Sequence, residues 1–121
     1  MDFRKELEPL NVSLVAQDSQ LEQIKKTERK YKQSGDIDTY IKFWENIWNN
    51  GGLLFNGTHW TFELCSLYYK TKQYDKAWGF LSMLTMKKPE YLDNIRRWQL
   101  KILKREKKDT SLIEDLMKNK T

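Results

Sequence analysis

Sliding the chain 37 residues along itself lays one helical pattern over another, and this self-similarity limits the fold more than any other feature of the sequence. Tyr31 falls on Tyr68, Ile37 on Tyr74, Asp38 on Asp75, Phe43 on Phe80, Trp44 on Leu81 and Ile47 on Leu84, so apolar positions meet apolar positions. Tyr40 on Ala77 is the main mismatch. A period of this length makes each unit one supersecondary element that needs its neighbour to bury an apolar face.

The units read as helix pairs. Ser19 with Glu22 three residues on suggests a capping box, followed by Leu21, Ile24, Tyr31 and a closing Gly35. Asp36 is placed to cap a second helix in which Ile37, Tyr40, Ile41, Trp44, Ile47 and Trp48 recur at the spacing of a buried stripe, ended by Asn49-Asn50-Gly51-Gly52. Asn56 or Thr58 suits the cap of a third helix reaching about Lys72, with Trp60, Leu64, Leu67 and Tyr68 on one side. The fourth carries Ala77, Trp78, Phe80, Leu81 and Leu84 and must stop ahead of Pro89, whose ring disfavours a helical residue before it.

From Pro89 to about Arg105 the residues Tyr91, Leu92, Ile95, Trp98, Ile102 and Leu103 share one face, and Arg97, Lys101, Lys104 and Lys108 the opposite one. Ser111 and Glu114 suggest a second capping box ahead of Leu112, Ile113, Leu116 and Met117. The expected organisation is a single domain over 1–121, with helix pairs at 18–54, 55–88 and 89–121. In 1–17, "LNVSLV" alternates like a strand and equally suits an amphipathic turn, helix or coil being preferred.

The composition fits an all-α domain. Hydrophobic residues make up 39% and aromatics 13%, too much apolar material for a disordered chain, while five Gly and two Pro are too few for a many-turned β fold. No stretch is apolar enough for a secretory signal or a membrane span, and Cys65, the only cysteine, allows no intrachain disulfide. A cytoplasmic location without membrane contact is the expectation. The net charge of +5 sits in the second half: residues 1–57 carry 8 Lys/Arg against 9 Asp/Glu, residues 58–121 carry 14 against 8. Such a field attracts acidic partners.

Nothing selects a catalytic pair or a cofactor. His59 has no second His or Cys at metal-ligand spacing and reads as a capping or surface residue. Cys65 lies on an apolar helical face and reads as core. Gly51-Gly52 lacks the Lys of a phosphate-binding loop. The five Trp fall at helical spacing and are expected in the core.

"LYYKTKQYDKAWGFLSMLTMKKP" keeps Tyr68, Tyr74, Asp75, a small Ala77, Leu81, Leu84 and Pro89 at positions that resemble the tetratricopeptide repeat, with Cys65 at another small-residue position. The first unit keeps Tyr31, Gly35, Asp36 and Ile47 but has Tyr40 and Glu28 at the small positions. The third aligns Ile95, Trp98, Gln99 and Ile102 with Thr61, Leu64, Cys65 and Tyr68, then drifts at Asp115. The resemblance implies a right-handed solenoid of three antiparallel helix pairs, the last degenerate.

It also implies a function in protein–protein interaction, with a concave groove lined by the first helix of each pair. The lining carried over includes Lys25, Arg29, Lys32, His59, Phe62, Tyr69, Lys70, Arg96 and Lys104, a basic surface with two aromatics. It suits an acidic or extended peptide of a partner protein, although the asparagines that often accompany carboxylate clamps are missing. The alternatives are a nucleic-acid binder using Arg96, Arg97, Lys101, Lys104, Arg105, Lys107 and Lys108, and a homo-oligomeric assembly protein. The groove set and the stripe of Arg97, Lys101 and Lys108 are expected on different surfaces.

Overall fold

The structure, a computed structural model, describes the backbone of residues 3–118 and side-chain surroundings from residue 16 to 118. All regular structure among these residues is helical: α1 (Phe3–Ser34), α2 (Ile37–Asn49), α3 (Thr58–Thr61), α4 (Glu63–Lys70), α5 (Tyr74–Lys87), a 3-10 turn (Pro89–Tyr91), α6 (Leu92–Arg105) and α7 (Ser111–Lys118). They form two compact units, Met1–Thr61 and Phe62–Thr121. The division falls inside the segment expected to be a single third helix, which breaks into α3 and α4 at Phe62 (φ −101°, ψ 6°). Two β-branched threonines lie on the α3 side, and the Thr61 hydroxyl donates to the Gly57 carbonyl, a local bond of the kind that weakens or bends helices.

In the first unit α1 packs on α2. Helix α1 is continuous through Ser19, which is exposed in mid-helix, so the expected capping box does not start a helix and the segment before it is helical from Phe3. Residues 1 and 2 of the uncertain 1–17 segment lie outside the described residues. Asp36 does cap α2: its carboxylate accepts from the Thr39 backbone N–H at 3.2 Å and from the Thr39 hydroxyl at 2.7 Å. Tyr40, Ile41, Trp44 and Trp48 bury the α2 stripe, with Ile24 facing inward from α1. Tyr31 stacks on Tyr40 at 4.5 Å and Trp44 on Trp60 at 5.8 Å.

After α2 the chain turns through Gly51 and Gly52, both at positive φ, and Gln20 of α1 clamps the loop. Its amide nitrogen donates to the Gly52 carbonyl at 3.1 Å and its oxygen accepts from the Leu54 N–H at 2.8 Å. Leu53 is thereby held inward, 7% exposed.

In the second unit α4 packs on α5, α5 on α6 and α6 on α7. The core joins Leu64, Cys65, Leu67 and Tyr68 of α4, Ala77, Phe80, Leu81 and Leu84 of α5, Ile95 and Ile102 of α6, and Ile113 of α7. Ala77 and Cys65 are both 0% exposed, which matches the packing role expected of these small residues. Of the five Trp only Trp44 and Trp48 are buried; Trp60, Trp78 and Trp98 are half-buried. Ahead of α7, Asp109 closes a turn: its carboxylate accepts from the Ser111 N–H at 2.9 Å and the Ser111 hydroxyl at 2.6 Å, and the Thr110 carbonyl accepts the first helical bond, from the Glu114 N–H at 3.0 Å. The expected Ser111–Glu114 capping box is not what forms: the Ser111 hydroxyl is taken by Asp109, and Glu114 accepts from the Thr110 hydroxyl at 2.9 Å.

The helix ends repeat. Lys72 and Lys107, at φ 61° and 57°, follow α4 and α6. In each case the next residue's N–H reaches back to the helix, Gln73 to the Tyr68 carbonyl at 2.8 Å and Lys108 to the Leu103 carbonyl at 2.9 Å. This is the Schellman closure, with lysine at the position that favours glycine. At the end of α1 Gly35 (φ 71°) closes with a single bond to the Tyr31 carbonyl at 2.7 Å. The helices that follow begin at Ile37, Tyr74 and Ser111, a spacing of 37 residues each time.

Candidate functional site

The residues expected to line one groove are divided between the two units. In the first, Lys25, Arg29 and Lys32 lie exposed along one face of α1, and Lys32 pairs with Glu28 at 3.5 Å. A surface cavity of about 510 Å³ opens nearby at the α1–α2 turn, beside Lys30, Tyr31 and Tyr40, but none of the three cations lines it. His59 is exposed on α3 with its ring edge-on to Trp60 at 4.4 Å.

In the second unit Phe62 is only 6% exposed, its ring edge-on to Tyr91 at 6.1 Å, so it offers a partner little surface. Arg96 is half-buried and donates to the side-chain oxygen of buried Gln99 at 2.8 Å, which commits part of its guanidinium to the core edge. Lys70 and Lys104 are exposed.

Tyr69 is the expected residue around which others gather. Its ring meets Tyr74 at 5.6 Å and Trp98 at 5.7 Å, both edge-on, joining α4, α5 and α6. Lys101 lays its Nζ 4.9 Å from the Tyr69 ring centre and 4.8 Å from that of Trp98. Arg105, one helical turn on, donates from Nε to the Tyr74 hydroxyl at 3.3 Å, and this bond raises its already high pKa. Lys101 was expected on the stripe and Tyr69 in the groove; they form one surface, so those two sets are not separate.

The sequence pattern contained this cluster without exposing it. Trp98, Lys101 and Arg105 stand at i, i+3 and i+7 on α6, a helical face that crosses the apolar one. An α6 with one apolar and one basic side would bury Trp98 and leave Lys101 to solvent. Cation–π contact is the attraction that lets them share a face, worth about 0.5–1 kcal/mol at an exposed site.

The electrostatics of the surface are simple. Among the described residues, Lys101, Lys104 and Arg105 take part in no ion pair, while Lys108 is matched by Glu106 at 3.2 Å. A cavity of about 330 Å³ adjoins Tyr74, lined by Lys72, Asp75, Lys76 and Glu106, with charges of both signs. Cys65 lies beneath α4's outer face and burial pushes its thiol up to about 12, which leaves no thiolate for chemistry near neutral pH. No described helix is long and apolar enough to cross a membrane. Comparison of the chain with protein-family models, with curated proteins and with solved structures finds no match.

Proposed function

We propose that the protein is a non-catalytic interaction module, built from helix pairs that resemble tetratricopeptide repeats, and that it binds an acidic, leucine-bearing segment of a partner protein on the Tyr69–Trp98–Lys101–Arg105 surface. The observation that carries this reading is the placement of Lys101 over two aromatic rings, with Lys104 and Arg105 beside it and no carboxylate paired to any of the three among the described residues. Rings and lysine stems supply apolar contact; ammonium and guanidinium groups supply charge-assisted hydrogen bonds to carboxylates. Helix pairs hold the surface rigid, so little entropy is lost in forming it.

A single-stranded nucleic acid would use the same charges differently, by stacking bases on ring faces. Here Lys101 covers one face of both Tyr69 and Trp98, and the other ring contacts are edge-on. That disposition favours a peptide. The supporting test is fluorescence anisotropy with a labelled peptide of alternating Glu and Leu, compared with a Lys and Leu peptide and a thymidine oligonucleotide. Lys101→Glu with Lys104→Glu should weaken binding of the acidic peptide at least about tenfold, since each lost charged hydrogen bond is worth about 1.5–3 kcal/mol. Lys25→Glu with Arg29→Glu should change it little. Tighter binding to the oligonucleotide than to the acidic peptide would reject this reading in favour of nucleic acid.

A further inference from the structure

Helix α7 carries a short acidic and apolar face that its own unit leaves in solvent. Ile113 is 3% exposed and fastens α7 on α6, whereas Leu112 and Leu116, one turn apart, are 71% and 42% exposed. At 100° per residue Asp115 falls beside these two leucines, on the side away from Ile113. Asp115 is exposed and joins no ion pair among the described residues; Glu114, by contrast, is engaged by Thr110. The face therefore offers two leucines and a carboxylate in one turn of helix. Its chemistry is the complement of the Tyr69–Trp98–Lys101–Arg105 surface, which offers rings and cations that join no ion pair among the described residues.

We infer that α7 of one copy of this chain docks on the aromatic and basic surface of a second copy, Leu112 and Leu116 against the rings and Asp115 against Lys104 and Arg105. This names a partner for the surface of the proposed function and rests on that reading. The two contacting patches differ, so the contact is heterologous: each bound copy still presents a free α7 and a free basic surface. Self-association therefore does not stop at a dimer unless the rotation closes a ring. The contact is small, part electrostatic and at the protein surface, so it forms at high protein concentration and weakens as salt screens it.

The test is sedimentation of the full chain over a range of concentrations, with two exposed-face variants checked for unchanged helical circular dichroism. Leu112→Ser with Leu116→Ser removes the α7 face and retains Ile113; Lys101→Glu with Lys104→Glu removes the receiving surface. Each variant alone should stay monomeric where the parent chain associates. An equimolar mixture should pair, because one supplies an intact α7 and the other an intact surface. A mixture that stays monomeric, or either variant associating like the parent, overturns the inference. The α7 variant should also bind the Glu and Leu peptide as the parent does; self-association lost with peptide binding kept supports both readings. A surface variant that loses the peptide yet still self-associates overturns only this one.

Discussion

The two units fill equivalent positions of a 37-residue register by opposite means. Tyr40 of α2 and Ala77 of α5 stand at the same place, both buried, at 2% and 0% exposure. In the first unit that place is filled by a large ring stacked with Tyr31 at 4.5 Å and Phe43 at 6.4 Å, with Trp44 edge-on at 6.3 Å. In the second it is filled by one methyl group, and α4 and α5 meet across Cys65, Leu67 and Leu81, each fully buried. A helix pair tolerates either solution provided the volume is filled, because interiors pack at crystal-like density. Register sets where a side chain points; the size of the side chain sets how the neighbouring helix is met.

The comparison breaks first at its large end. Tyr40→Ala should cost about 3–5 kcal/mol, the range for emptying a buried aromatic site, read as a fall in the urea midpoint with little change in slope. Ala77→Leu should cost about 1–3 kcal/mol because the added methylenes have no room. A neutral Tyr40→Ala would mean that the first hairpin closes to the geometry of the second. A neutral Ala77→Leu would mean that the α5 crossing is loose.

Gly52 offers a probe confined to the first unit. It has φ 86°, and a Cβ there would lie 2.9 Å from two ring carbons of buried Trp48. Gly52→Ala therefore meets both backbone strain and a ring that has little freedom to move, with an expected loss of about 1–3 kcal/mol. Gly51→Ala, at φ 108° with open space around it, bears the strain alone and should cost less. Thermal unfolding of the pair separates strain from crowding; equal losses would show that Trp48 yields.

Much of this was legible in the sequence where the cause is local. Asp36 caps α2 through a bond to a residue three positions on, and Ala77 is buried because it shares a helical face with Leu81 and Leu84. Where the sequence misled, two local signals competed or the partner was remote. Ser19 and Glu22 have capping-box spacing, but that spacing also occurs inside a helix, and α1 runs through it. Gln20 gave no hint of its role because its partners lie 32 and 34 residues away. The Tyr69 cluster needed α4, α5 and α6 side by side before a lysine from a basic stripe could be seen over a ring from a groove.

The helix ends sharpen the comparison at a smaller scale. Lys72 and Lys107 occupy the left-handed conformation without the glycine that makes it cheap, whereas Gly35 ends α1 in the same region. A non-glycine residue there costs about 1–2 kcal/mol, and glycine returns about 0.5–1 kcal/mol of that as extra freedom of the unfolded chain. Lys72→Gly and Lys107→Gly should each stabilise by about 0.5–1 kcal/mol, and Gly35→Lys should destabilise by a similar amount. Opposite signs in the two units, read from chemical denaturation, would confirm the turn geometry; the same sign in both would contradict it.

The smallest effect concerns acid. Asp36 in the first unit and Asp109 in the second have carboxyl pKa values held below the ordinary 3.8, in each case first by a side-chain hydrogen bond, from Thr39 or Ser111, and then by the backbone N–H of the same residue. A depressed folded pKa means that the ionised form is favoured by folding. Its contribution is present in full above the unfolded value and is lost as pH falls through the folded one, so the window opens near pH 3.8 and extends downward. Both groups are fully exposed, so the loss is small at each. Asparagine also accepts a hydrogen bond at a helix start, so Asp36→Asn and Asp109→Asn should hold stability near neutral pH while flattening its decline in acid. Because Asp36 precedes a helix of the first unit and Asp109 one of the second, acid titrations of the two single variants, each followed by far-ultraviolet dichroism, test whether both carboxylates matter equally. An unchanged acid profile in the double variant would mean that neither carboxylate contributes through its ionised form.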